Sequence, residues 1–120
     1  MTPFQLNDEL LDRIGLLIDG QKNKKLKSLL AELHYADMAE IIDELSLERG
    51  VYLIKLVDSE KTSDVLTELD EDVREKILKE LSAKEIAGEL EELDTDDAAD
   101  IIGELPEERQ ERVIAQISDE

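Results

Sequence analysis

The sequence predicts an all-α fold: a solenoid-like stack of short amphipathic helices with a period of about 12 residues. Three observations carry this prediction. From Lys22 the chain divides into equal blocks: KNKKLKSLLAEL, HYADMAEIIDEL, SLERGVYLIKLV, DSEKTSDVLTEL, DEDVREKILKEL, SAKEIAGELEEL, DTDDAADIIGEL and PEERQERVIAQI. The apolar residues hold fixed places inside each block. The first place in most blocks is a residue that starts helices.

The apolar places are the last and the ninth of each block. The last holds Leu33, Leu45, Val57, Leu69, Leu81, Leu93, Leu105 and Ile117; the ninth holds Leu30, Ile42, Ile54, Leu66, Leu78, Leu90, Ile102 and Ile114. The eighth is apolar too, except at Glu89. Residues spaced i, i+1 and i+4 share one face of an α-helix. A single continuous helix is excluded, because the stripe would turn by roughly 120° from block to block and no one partner could cover it. Leu66 and Ile102 are therefore expected in the core. Glu89 is expected on an exposed or interface-forming face.

The elements follow in order. Residues Phe4 to Asp19 read as an opening helix, with Thr2-Pro3 at its start, Leu10, Leu11, Ile14, Leu17 and Ile18 on its apolar side, and Gly20 as its stop. The blocks from 22 and 34 open on Lys22 and His34, which are not usual caps. Those that follow open on Ser46, Asp58, Asp70, Ser82, Asp94 and Pro106. Ser and Asp cap helix N-termini, and Pro fits the first turn, where its missing N–H has no partner anyway. Ser82 with Glu85 forms a capping box. Small residues at the sixth place (Ala39, Ser63, Ala99) alternate with bulkier or charged ones (Val51, Glu75, Glu111). That alternation predicts helix pairs, with block 82–93 as an odd inserted member. Residues 1–21 read as a capping helix and 22–120 as the repeat array, together one domain.

Composition narrows the function. Aromatics are limited to Phe4, Tyr35 and Tyr52, so the core is aliphatic. There is no cysteine, hence no disulfide and no thiolate metal site. No apolar run approaches membrane-spanning length, so direct membrane insertion is not expected. The formal charge of −19 repels nucleic acid and attracts cations and basic surfaces. Lys22, Lys24, Lys25 and Lys27 form one basic cluster, read as a solvated face, since no stacking aromatics or further basic stripe accompany it.

No constellation supports an enzyme. His34 is the one histidine, expected at a helix start, and no phosphate loop or metalloprotease motif is present. DTDDAAD lacks the glycine and distal glutamate of a calcium loop. The segment still gathers Glu91, Glu92, Asp94, Asp96, Asp97 and Asp100. Two readings stand. Acids in a first helical turn are favoured by the helix dipole. Alternatively, Asp96 and Asp100 at i, i+4, with Asp97 beside them, repel one another unless a hard cation such as Mg²⁺ or Ca²⁺ lies between them.

LLAELHYADMAEIIDEL and ELDTDDAADIIGELPEER resemble the N-terminal cytosolic domain of MgtE-type magnesium transporters, with its LHPADIAE-like and LDPDDAADLLEEL-like stretches. Tyr35 and Thr95 stand where that family often has proline. The resemblance implies a right-handed superhelix and a regulatory, non-enzymatic role at the cytoplasmic face of the membrane. It implies weakly held Mg²⁺ shared with partner regions, namely a CBS domain pair and a connecting plug helix of the same transporter. Mg²⁺ bridging would hold the pore shut. Any homodimer would form through the full-length protein. By motif matching, the ion-contacting acids fall on Asp64, Asp96 and Asp100, with Asp97 as a neighbour. Residues 1–120 hold no counterpart of the CBS pair, plug helix or pore, which suits either a piece of a longer transporter or a free-standing relative. The alternative is a helical-repeat interaction scaffold without ion sensing, either a general adaptor or one like the flagellar motor switch protein FliG, whose EHPQ stretch is absent.

Overall fold

The computed structural model describes residues 7–118; Thr2, Pro3 and Phe4 of the expected first helix lie outside them. The described residues form nine helices and no strand: α1 Asp8–Asp19, α2 Asn23–Ala31, α3 Tyr35–Glu44, α4 Leu47–Leu56, α5 Ser59–Glu68, α6 Glu71–Lys79, α7 Ala83–Leu90, α8 Thr95–Gly103 and α9 Glu107–Ser118. From α2 onward every helix starts at the second place of its block. The first place is the N-cap, including the two unusual residues. His34 Nδ1 accepts the Ala36 N–H at 3.1 Å, doing the work of a Ser or Asp. Lys22 caps α2 with no side-chain bond. Ser46 and Ser82 accept from Arg49 and Glu85, and the Ser82–Glu85 box closes in both directions. Asp58, Asp70 and Asp94 occupy N-caps without a side-chain bond, so their charge acts on the helix dipole only.

The end of α1 differs in detail from the expectation. Gly20 is the C-cap at φ −85°, but the left-handed residue is Gln21, at φ 53°. Gln21 N–H reaches the Ile18 carbonyl at 3.0 Å and Lys22 N–H the Leu17 carbonyl at 2.9 Å. This is a Schellman turn with glutamine where glycine usually sits.

Tertiary packing joins every second helix. α3 lies on α5, α5 on α7 and α7 on α9; α4 lies on α6, α1 on α2 and α4, and α8 on α9. This gives a 24-residue unit, but α7 is a regular member of the first row, with Ala87 buried in it, and not the inserted helix the sequence suggested. α8 and α9 accordingly fall in the opposite rows from those their sixth-place residues implied.

The apolar stripe forms a continuous aliphatic core. Leu30, Ile42, Ile54, Leu66, Leu78 and Leu90, all ninth places, are buried. The eighth place is buried from Ile41 onward, and at the C-terminal end it, and not the ninth, stays in the core: Ile101 and Val113 are buried, whereas Ile102 is half-buried and Ile114 is 48% exposed. The core assignment of Ile102 is corrected to that extent. Glu89 corrects a second expectation. It is 7% exposed and lies in the core row between α5 and α7.

Scarce cations tie α4, α5, α7 and α9 each to the helix three before it. Arg49 of α4 bonds Asp19, the last residue of α1, at 3.0 Å. Lys61 of α5 donates to the Leu30 carbonyl of α2 at 2.7 Å. Arg109 of α9 donates to the Leu78 carbonyl of α6 at 3.1 Å and also to the Leu81 carbonyl. The same fourth block place in α7 is Glu85, which meets Lys55 at the end of α4 at 3.7 Å. Arg74 of α6 adds a half-buried link: it holds the Leu66 and Leu69 carbonyls after α5 and, at 3.0 Å, Glu104 after α8. Lys61, Arg74 and Arg109 thus reach backbone carbonyls at helix C-terminal ends, where the acceptors outnumber the N–H groups of the helix, whereas Arg49 and Lys55 pair with carboxylates.

Candidate functional site

The acidic turn of α8 begins at Thr95, straight after the Asp94 cap, so DTDDAAD is a helix start and not an ion-binding loop. Asp96 and Asp97 occupy the first turn and Asp100 the next; all three are exposed. Asp64 is exposed on α5, and only its backbone carbonyl is engaged, by the Thr67 hydroxyl at 2.7 Å. Asp64 and Asp100 hold the same place, the seventh, in their blocks, three helices apart. The donors are hard oxygens that no lysine or arginine pairs with among the described residues. They therefore suit Mg²⁺ in kind.

They do not suit it in number. Among the described residues no three His, Asp or Glu side chains converge in a way that could hold a metal ion. α5 packs on α3 and α7, while α8 packs on α9, so Asp64 is not drawn into one cluster with the α8 acids. What the array presents is a wall of carboxylates, each able to give one or two ligands to an ion whose other ligands come from elsewhere.

Two features escaped the sequence reading. The first is the buried pair Glu89–Thr62. Thr62 Oγ1 lies 2.7 and 2.8 Å from the two Glu89 carboxyl oxygens, beside an open cavity of about 310 Å³ lined also by Lys55, Asp58, Ser59 and Glu85. Burial pushes the Glu89 carboxyl up to about 7, and the nearby Glu92 and Glu85 charges add to it. The broken stripe at the eighth place was its one visible signal. The second is a cleft at the α1–α2 edge, about 800 Å³ in volume, where Arg13, Lys22, Lys24 and Lys25 gather.

An acidic all-α array of this kind is a class of protein that works through its outer surface. The chain belongs to the MgtE intracellular N domain family, whose model matches residues 33–120. Among solved structures it is similar to the soluble part of a magnesium transporter, at 15% identity and a TM-score of 0.48 over 94% of this chain and 50% of that one. The chain thus spans half the length of that protein. No curated protein was found to match the sequence. No described helix is long and apolar enough to cross a membrane.

Proposed function

We propose that this chain is the cytosolic regulatory domain of a magnesium transporter. In this reading it docks on an acidic face of the same transporter when Mg²⁺ is abundant, and so holds the pore shut. The partner face is the CBS domain pair and the connecting helix, and any pairing of two copies arises through the full-length protein. The domain binds and releases; it performs no catalysis. The observation that carries the reading is the exposed, unpaired set Asp96 and Asp100 on α8, with Asp97 beside them and Asp64 on α5, in a chain of this family.

Two surfaces of like charge separate unless counter-charge lies between them. A divalent cation between the faces supplies that counter-charge through carboxylate oxygens from both sides. The incomplete donor set of this chain then has a purpose. An ion that one face held fully would not distinguish the docked from the free state, and an equilibrium moves only by differential affinity. Asp96 and Asp100 are exposed and carry no packing, so the fold does not depend on them.

The test is Asp96→Asn with Asp100→Asn in the full transporter. The expected outcome is transport that stays open at high Mg²⁺, with the melting temperature of the domain unchanged. Closure at the same Mg²⁺ concentration as the wild type would overturn the assignment. It would favour an adaptor without ion sensing.

A further inference from the structure

The cations that fasten the array are accounted for: Arg49, Lys55, Lys61, Arg74, Arg109 and, within single helices, Lys79 and Arg112. The cations left without such partners among the described residues are unevenly placed. Lys76 and Lys84 are scattered, but Arg13, Lys22, Lys24, Lys25 and Lys27 share the α1–α2 edge. All but Lys27 line one open cleft of about 800 Å³. Leu17 and Leu29, both half-buried, give the cleft an apolar lining. On the neighbouring turn of α1, Leu16 is 73% exposed. Glu32 is the one acid in the lining.

Folding does not explain this arrangement. Basic residues at a helix N-terminus oppose the dipole, and α2 begins with Lys22, Asn23, Lys24 and Lys25, no acid in its first turn and no side-chain cap. The first-turn N–H groups add positive potential to the same edge. In a chain of charge −19 this edge is a local inversion of sign. It also lies wholly outside residues 33–120, the part that matches the family. In packing order it stands at the far end of the array from α8.

We infer that the α1–α2 cleft is a docking site for an acidic amphipathic helix of a partner protein, separate from the carboxylate wall of α8. Charge complementarity selects the carboxylates: Arg13 of α1 and Lys22, Lys24 and Lys25 at the start of α2 all line the cleft. The apolar lining selects the form. Leu17 and Leu29, with Leu16 beside them, accept apolar anchors spaced i, i+3 or i+4, which an amphipathic helix presents on one face. The cleft is shallow and open, with room along it for one helical segment. The acidic remainder of the molecule opposes any polyanion that spreads beyond this edge, as a bilayer or a nucleic acid would, more than a short segment confined to it.

The experiment uses the whole 120-residue chain with EDTA present, so that bridging by divalent ions plays no part. The probe is a fluorescent helical peptide of about 20 residues, with leucine at i, i+4 places and glutamate elsewhere. Anisotropy should show saturable binding that weakens on raising salt and falls about tenfold in Lys22→Glu with Lys25→Glu. Both lysines are exposed, so circular dichroism should be unchanged in that variant, and because acids at a helix start suit the dipole its melting temperature should not fall. A peptide with lysine in place of glutamate is drawn to the acidic remainder of the molecule, so any binding it shows should not fall in Lys22→Glu with Lys25→Glu. Absence of binding by the glutamate peptide, or binding of it that the charge reversal leaves intact, overturns the inference. So does binding to vesicles of phosphatidylserine and phosphatidylcholine in preference to the peptide, which would make the edge a membrane contact. Because EDTA removes bridging ions, these outcomes are independent of the fate of the Mg²⁺ reading.

Discussion

Thr62 Oγ1 stands 2.7 and 2.8 Å from the Glu89 oxygens and 3.3 Å from the Asp58 carbonyl. The Thr62 hydroxyl is the donor to the Glu89 carboxyl, and that bond favours the charged form. A charged Glu89 takes the Thr62 proton and leaves the Asp58 carbonyl without that bond. Burial, the largest effect, together with the charges of Glu92 and Glu85, outweighs the Thr62 bond and favours the protonated form, and Lys55 opposite them is engaged by Glu85. The sign of the pH effect follows. The folded carboxyl titrates at about 7 against 4.5 for the ordinary group. The stabilisation by protonation is complete below the ordinary value and is lost as pH rises through the folded one. Its upper bound is about 3 kcal/mol. Asp43 acts in the same direction: burial and the Asp70 charge raise it, and its Oδ1 is buried without a hydrogen-bond partner. The melting temperature of the wild type should therefore drop between pH 5 and 8. Glu89→Gln, which keeps the shape and removes the charge, should be the more stable protein at pH 8 and should flatten that slope. Equal slopes for the two proteins would show that Glu89 does not titrate in this range. A backbone prediction belongs at the same scale. Gln21→Gly relieves a left-handed residue and should stabilise by about 1 kcal/mol in chemical denaturation.

At the scale of the helix, the ninth block place leaves the core near the C-terminus while the eighth stays buried, and this separates two substitutions that the repeat alone makes equal. Leu66 is fully buried between α3 and α7 neighbours, and Leu66→Ala should cost about 2–5 kcal/mol in urea unfolding. Ile102 is half-buried in α8, and Ile102→Ala should cost clearly less, with Ile101→Ala the more damaging of that pair. Equal losses at Leu66 and Ile102 would show that the rows are packed differently. The element starts were legible in the sequence because capping is local: Ser46 and Ser82 accept from N–H groups three residues away. The 24-residue unit was legible in outline, since it follows from a face that recurs. The place of α7 was not, because Ala87 and Ala99 look alike in sequence while only one lies in a closed row. Glu89 was placed on the wrong side of the surface because its partner Thr62 is 27 residues away. The cations at the fourth block place could not be assigned for the same reason, as their carbonyl partners lie about 30 residues back. The candidate acids were legible as exposed carboxylates, but the separation of Asp64 from the α8 set is a matter of packing that no local pattern records.

The whole molecule carries a large excess of negative charge, and half-buried arginines and lysines hold its helices together at their ends. Repulsion among the remaining acids opposes the compact state. It is weakened by screening once exposed charges stand further apart than the Debye length, about 8 Å at physiological salt. NaCl should therefore raise the melting temperature of the isolated chain. MgCl₂ at matched ionic strength distinguishes two pictures of the carboxylate wall. If Asp64, Asp96, Asp97 and Asp100 give only part of a coordination shell, Mg²⁺ acts on the free domain as a weak, unsaturating counter-ion. The rise then exceeds that in NaCl slightly and keeps growing with concentration. If the wall holds a complete site, binding to the folded state alone adds RT ln(1 + [L]/Kd), and the specific rise begins at micromolar Mg²⁺. Calorimetric melting of the wild type and of Asp96→Asn with Asp100→Asn in both salts decides between them. The shared-shell picture requires nearly parallel curves for the two proteins. It also requires that the ion-specific difference appear only when the partner face of the transporter is present. A micromolar, saturable, variant-sensitive rise in the isolated chain would transfer the whole sensor to this domain and leave the partner face with no ligand to give.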